Sequence, residues 1–408
     1  MFFKTEMTGR GVDMALVRLK PKAERPVGRR HPWLFSGAVA GVEGDPGPGD
    51  LVRVVDAAGG FLAWGLYNPR SSIRVRLLEW VEEAAVDEAW WASRLERAVG
   101  LRRPLLDDPG LSACRLVFAE SDGLPGLIAD WYDGWVVFQA LAAGVDRRKE
   151  FLAGTLKEIT GARGVFERSD TESRALEGLN PAVGVLAGAS PPERLEVKEG
   201  GLRFLVDPVR GQKTGFYIDQ RPNRRVAAAY ARDREVLDCF AYTFAFAAYC
   251  YQAGARAVVR VESSAEAAAL GAANLALNGF EARPGETITA DVFQVLRKFR
   301  DQGRRFDLII LDPPKLAPTK ASVSKAARAY KDINLLALKL LRPGGILATF
   351  SCSGGVEADL FQKIVFGAAL DAGREVQVLE RMGQGPDHPV RLSFPESSYL
   401  KGLLGRAW

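Results

Sequence analysis

Histidine is nearly absent from this chain, with two residues in 408. Cysteine is scarce too. There are four, Cys114, Cys239, Cys250 and Cys352, and no two stand in Cys-x-x-Cys spacing. A zinc site draws its ligands from such residues at short spacing, so no metal is expected. Four scattered cysteines in a chain this long make no disulfide framework, and a reducing cytoplasm suits them better. No apolar run reaches the ~18–20 residues that a membrane span needs. Residues 1–13 lack the long apolar core and cleavage site of a signal peptide. They read as an extension ahead of the first periodic segment, which begins at Met14. No internal repeat or low-complexity tract is evident. The charge excess is small, +5. It permits a nucleic-acid partner without demanding one, because clustering matters more than the sum.

What is present divides into three regions, in line with the two or three domains that this length suggests. Residues 14–82 carry short, closely spaced strands: Ala15–Leu19, Leu51–Val55, Phe61–Tyr67 and Ile73–Leu78. They are separated by Pro/Gly turn chemistry, the pattern of a small β-barrel. Residues 83–204 mix helices (around Trp91–Val99 and Asp146–Ile159) with strands at Cys114–Ala119, Leu127–Trp131, Trp135–Leu141 and Val165–Glu167. This reads as an α+β domain, with Asn180–Pro192 as a loop. Residues 205–408 alternate β and α through six strands from Glu235 to Met382, and Leu392–Phe394 with Tyr399–Leu404 reads as a closing hairpin. That rhythm implies a Rossmann-like doubly wound α/β sheet.

In such sheets a ligand sits at the carboxyl ends of the strands, beside the switch point. The first strand runs through Asp238 into the loop containing Phe240 and Tyr242. The second ends in Glu262-Ser263, where an acid can accept hydrogen bonds from both ribose hydroxyls. The third ends at Asp291, placed to meet an adenine amino group. Each acid could instead be the N-cap of the next helix, but three in succession favour a nucleoside site. The fourth strand ends in Asp312-Pro313-Pro314-Lys315. Two prolines remove two N–H donors and leave rigid acceptors for a flat base. The fifth ends in Ser351-Cys352-Ser353. A lone cysteine is often only a small buried residue, yet here it has polar neighbours, a glycine-rich exit and the supposed cofactor beside it. Methylating carbon 5 of a pyrimidine needs a thiolate at carbon 6 to make carbon 5 nucleophilic.

The run Gly211–Arg221, with Asp312–Lys315, Tyr330–Asn334, Thr349–Ser353, Asp387–Val390 and Tyr399–Gly402, resembles the bacterial large-subunit rRNA cytosine-5 methyltransferases. The resemblance covers nearly the whole chain. Arg29–Gly37 is similar to the start of that family's PUA domain, a small RNA-binding barrel, and Glu120–Leu127 and Glu167–Asp170 are similar to its central domain. It implies S-adenosylmethionine as cofactor and ribosomal RNA as partner. Cys352 would be the nucleophile and Asp312 would hold the cytosine; Lys315 is counted with them as a nearby positive charge that favours the thiolate. Glu262 and Asp291 would bind ribose and adenine, with Phe216, Asp219 and Arg221 at the cofactor cleft. RNA contacts are expected from Arg29, Arg30, His31, Trp33 and Lys213, although Trp33 and Phe35 could equally fill the barrel. A homodimer is compatible with the sequence, but no segment specifies one.

The chain departs from the family in one place. Phe244-Ala245 stands where Gly-Gly usually follows Tyr-Thr, either narrowing the methionine end of the pocket or turning away into helix packing. Two alternatives remain. The Asp-Pro-Pro loop also resembles that of amino-group methyltransferases, although Lys315 stands where those place an aromatic ring. A non-catalytic RNA-binding assembly factor is the other, and Phe244 is the best argument for it.

Overall fold

The computed structural model describes residues 14–281, 283–317 and 322–408; the expected extension at 1–13 lies outside them. Six strands form the first sheet: β1 (Leu16–Leu19), β2 (Trp33–Phe35), β3 (Val39–Glu43), β4 (Leu51–Val55), β5 (Phe61–Tyr67) and β6 (Ile73–Glu79). Their order is β2-β6-β5-β4-β1-β3. Alternation along β6 sends Val75 and Leu77 into a core with Val17, Leu19, Val52 and Val54, while Arg74 and Arg76 point the other way. A second sheet follows in the order β11-β10-β9-β8-β7, from β7 (Ala113–Phe118), β8 (Leu127–Tyr132), β9 (Trp135–Ala140), β10 (Gly164–Ser169) and β11 (Ala182–Gly188). Helices Glu88–Leu101 and Lys149–Thr160 pack on it through Trp91, Leu95, Leu152 and Leu156. Asp87 caps the first by accepting from the Trp90 N–H.

After the hairpin of β12 (Leu195–Glu199) and β13 (Leu202–Val206) comes the large sheet. It contains β14 (Glu235–Cys239), β15 (Ala257–Glu262), β16 (Thr287–Thr289), β17 (Phe306–Leu311), β18 (Leu341–Ser351), β19 (Val376–Met382) and β20 (Lys401–Ala407). Their order is β16-β15-β14-β17-β18-β20-β19. The first five strands are parallel, and β20 runs antiparallel to both of its neighbours. Strand β17 is apolar along almost its whole length because helices cover both faces. From β14 the chain winds outward to β16, then crosses back to β17. The crevice at the carboxyl ends of β14 and β17 is therefore the switch point.

The structure differs from the sequence reading in three places. Residues 180–192, read as loop, contain the edge strand β11, paired antiparallel with β10. Its run of Ala, Val, Gly and Leu has no polar alternation to mark it, since Val183 and Val185 face outward and are exposed. The hairpin β12–β13 turns at Gly200-Gly201, both with positive φ, as a two-residue hairpin loop requires. Its Leu195, Val197, Phe204 and Val206 pack with Phe216 and Tyr249 in the core of the large sheet. That core thus begins well ahead of residue 205. The closing hairpin is also different: Arg391 and Phe394 form one isolated bridge, while β20 inserts between β18 and β19. Its length is almost wholly buried, the mark of a central strand.

Candidate active site

At the switch point lies a cavity of about 300 Å³. Its nucleoside-shaped end is built on Glu262. One carboxylate oxygen accepts from the Tyr242 backbone N–H at 2.8 Å, and the other from the Ser264 N–H at 2.9 Å and the Ser263 hydroxyl at 3.3 Å. The helix cap here is Ser264, whose hydroxyl accepts from the Ala267 N–H. Glu262 is therefore free of capping duty and lines the cavity with Ser263, Phe240 and Tyr242.

The loop after β14 places Phe240, Tyr242 and Phe244 in the left-handed region, at φ +59°, +45° and +63°. Glycine is the usual occupant of such backbone. Phe244 does not enter the cavity. It is fully buried, with the Arg260 guanidinium 5.5 Å from its ring centroid. Its ring fills the space over Gly271, where a Cβ would lie 2.4 Å from Cγ of Phe244. The bulk of Phe244 is thus accommodated by a glycine in the helix Ala265–Leu277. Phe244 therefore leaves the cavity unobstructed.

A second wall comes from the segment preceding the helix Arg221–Ala228. Phe216 and Asp219 line the cavity. One Asp219 carboxylate oxygen is held by Lys213 at 3.0 Å and by the Tyr399 hydroxyl. Its other oxygen, Oδ1, is buried without a partner among the described residues. Burial alone would raise the Asp219 carboxyl; Lys213, His388 and the Tyr399 hydrogen bond outweigh it and hold the group well below the usual carboxylate range. The wall is braced from the central domain. Asp130 accepts from Thr214, Tyr132 bonds the same hydroxyl, and Arg168 donates to the carbonyls of Pro208 and Gly211.

The far end carries Asp312, Pro313, Pro314, Lys315 and Cys352. The Cys352 sulfur lies 3.9 Å from the Pro313 carbonyl oxygen. Burial, then Asp219, push the Asp312 carboxyl up to about 7. Burial, then Asp312, push the Cys352 thiol up, opposed by Lys213 and Lys401. Lys315, the cation expected to favour the thiolate, is exposed at the mouth. Lys401 was not among the expected residues.

Several expected residues stand elsewhere. Asp238 is buried beneath the loop, accepts from the Ala247 N–H and does not line the cavity. Burial, then the Asp312 charge, raise it to about 8. Asp291 caps the helix Val292–Asp301 through the Gln294 N–H, outside the cavity lining. Arg221 turns away to the Ala113 carbonyl and Asp387. The arginine at the wall is Arg224, one turn on, paired with Glu199 and stacked 4.8 Å from the Phe216 ring. Lys213, expected to contact RNA, lines the cavity. On the barrel, Trp33 donates to Glu120 at 2.8 Å and packs on Phe394 at 4.6 Å, and His31 meets Glu396. Both serve as a seam between regions. Arg29 and Arg30 are exposed, with Arg30 over the Trp80 ring.

Residues 17–80 match the PUA-like domain, and residues 120–404 match the S-adenosylmethionine-dependent methyltransferase family. The chain belongs to that methyltransferase family. Among relatives of this methyltransferase, one named ribosomal RNA large subunit methyltransferase I, from Shewanella denitrificans, is 46% identical over 393 residues, covering 96% of this chain and 99% of the relative. One of the same name from Alteromonas mediterranea is 44% identical over 390 residues, covering 96% and 98%. The methyltransferase also shares its fold with a putative SAM-dependent methyltransferase from Streptococcus mutans, at TM-score 0.84 and 20% identity, covering 96% of this chain and all of that one. A putative methyltransferase solved in complex with SAH has the same TM-score at 21% identity, covering 96% and 99%. S-adenosylmethionine is the cofactor, and no helix among the described residues is long and apolar enough to cross a membrane.

Proposed function

We propose that this methyltransferase acts on large-subunit ribosomal RNA, at carbon 5 of a cytosine, with Cys352 as covalent nucleophile. The RNA substrate is supported by the relatives' names and by the PUA-like barrel. The carbon-5 chemistry rests on one observation: a cysteine on the cavity wall, against the loop of Asp312. Transfer to nitrogen or oxygen has no use for a thiol there.

The residues present fit the cofactor. Glu262 spends one lone pair of Oε2 on the Tyr242 N–H and keeps the other for a diol, while Oε1 is held by the Ser264 N–H and the Ser263 hydroxyl. The unpartnered Oδ1 of Asp219 is an acceptor for the ammonium of an amino acid. When bound, S-adenosylmethionine supplies a methyl group on a positively charged sulfur. The chain's own work is to activate the base. Cys352 forms a bond to carbon 6, which moves the ring's π electrons to carbon 5. Once carbon 5 is methylated and has lost its proton, the sulfur–carbon bond breaks and the double bond returns. Asp312, raised to about 7 and so partly protonated near neutral pH, would donate to the ring nitrogen of the base.

The test uses large-subunit rRNA with 5-fluorocytidine at the target. Fluorine cannot leave as a proton, so the wild-type enzyme should be trapped as an adduct that survives denaturation. Cys352→Ala should form none, should methylate at background, and should keep its cofactor affinity by calorimetry. Near-normal turnover of Cys352→Ala would overturn the reading and favour transfer to an amino group.

A further inference from the structure

Lys401 is 8% exposed at the start of β20, with its Cα opposite Ser351 of β18. Its ammonium donates to the Ser353 carbonyl at 2.8 Å and to the Tyr399 carbonyl at 2.7 Å. Both partners are neutral, and among the described residues it makes no ion pair. A buried cation without an anion is a costly arrangement, and one that the reading above does not use. The carbonyl it grips belongs to the residue following Cys352.

We propose that Lys401 is a positioning residue: the fixed cation that favours the Cys352 thiolate at the cavity wall. This rests on the reading of Cys352 as nucleophile. The step is an ionisation. The S–H proton leaves to solvent, the sulfur keeps the bonding pair, and the Cys352–Lys401 pair becomes neutral overall. Other groups facing the thiol pull in both directions. Asp312 and Asp219 oppose the thiolate, while Lys213 favours it; the hydroxyls of Tyr217 and Tyr330 also face it. Lys213 is half-exposed and already tied to Asp219, so the acid it serves cancels part of its effect. Lys401 has no such partner, with Glu357 and Lys315 as its more distant charged neighbours. Burial pushes the Lys401 ammonium down to about 8, against the pull of Cys352.

The test is iodoacetamide alkylation of the full chain across pH, read at the Cys352 peptide by mass spectrometry. The other three cysteines are buried and serve as an internal check on folding. Lys401→Met should move the alkylation midpoint up by about one pH unit, a roughly tenfold slower reaction below the midpoint, and Lys401→Arg should restore it. Lys401→Gln separates charge from structure, because an amide can still donate to both carbonyls. It should shift like Met, and it stands in if the Met variant does not fold. An unshifted midpoint in Lys401→Gln, with SAH binding intact, would overturn the proposal. No RNA enters this assay. Loss of the 5-fluorocytidine adduct alone would therefore sink the cytosine reading, and loss of the midpoint shift alone would sink this one.

Discussion

The two ends of the cavity are built on opposite plans. At the Glu262 end both carboxylate oxygens are held by backbone N–H groups before any ligand arrives, and the Ser263 hydroxyl completes a rigid cradle. At the Cys352 end the groups are electrostatically unsettled: Asp312 near 7, a thiol pushed up, and a lysine pushed down to about 8. Rigid donors suit a ligand that binds unchanged from one turnover to the next. Groups that sit close to their titration points suit steps in which protons move. One cavity thus separates holding from reacting.

The separation is broken most strongly from the holding end. Glu262→Ala should weaken S-adenosylmethionine binding by about tenfold to a hundredfold, or 1.5–3 kcal/mol, measured by calorimetry. It should leave the alkylation midpoint of Cys352 where it is; a moved midpoint would mean that the two ends are coupled.

Asp312→Asn tests the reacting end through stability. The acid holds its proton more tightly folded than unfolded, from the ordinary 3.8 up to about 7. Its contribution is fully present below pH ~3.8 and lost as pH rises through about 7. The stability of the Asn variant relative to wild type should therefore climb between pH 5 and pH 8. The climb should be on the order of 1–2 kcal/mol, less than the full linkage value because water screens a half-buried group. Urea melts of both proteins at the two pH values check this, and a flat difference would place Asp312 among ordinary carboxylates.

The smallest effect lies outside the cavity. Arg29→Ala with Arg30→Ala should flatten the salt dependence of RNA binding by roughly one to two units of slope. Arg29 is exposed with no side-chain partner among the described residues, and Arg30 rests on Trp80. An unchanged slope would move the RNA face off this part of the barrel.

The sheet was legible because β and α periods alternate cleanly from Glu235 onward, and a parallel strand buried on both faces announces itself as an apolar run. Glu262 was legible for the same reason, as the acid that closes such a run. Asp291 occupies the equivalent place one strand later, yet it caps a helix and Glu262 does not; the two uses leave the same trace in sequence. Arg221 and Arg224 are likewise one turn apart in a single helix, and only their packing against Asp387 and Glu199 distinguishes them. Lys401 was hidden because its neighbours in sequence say nothing about Cys352, which β20 reaches only by inserting beside β18. The packing of His31 and Trp33 was hidden because their partners, Glu396, Glu120 and Phe394, are remote in the chain.

Phe244 and Gly271 depend on each other. With any side chain at 271 the ring has no room. A glycine weakens a helix by about 1 kcal/mol against alanine, and here the ring fills the gap that the glycine leaves. A single change at either position is closed: a small residue at 244 leaves a ring-sized void, and alanine at 271 drives its Cβ into the ring. A substitution judged at either alone will be judged wrongly.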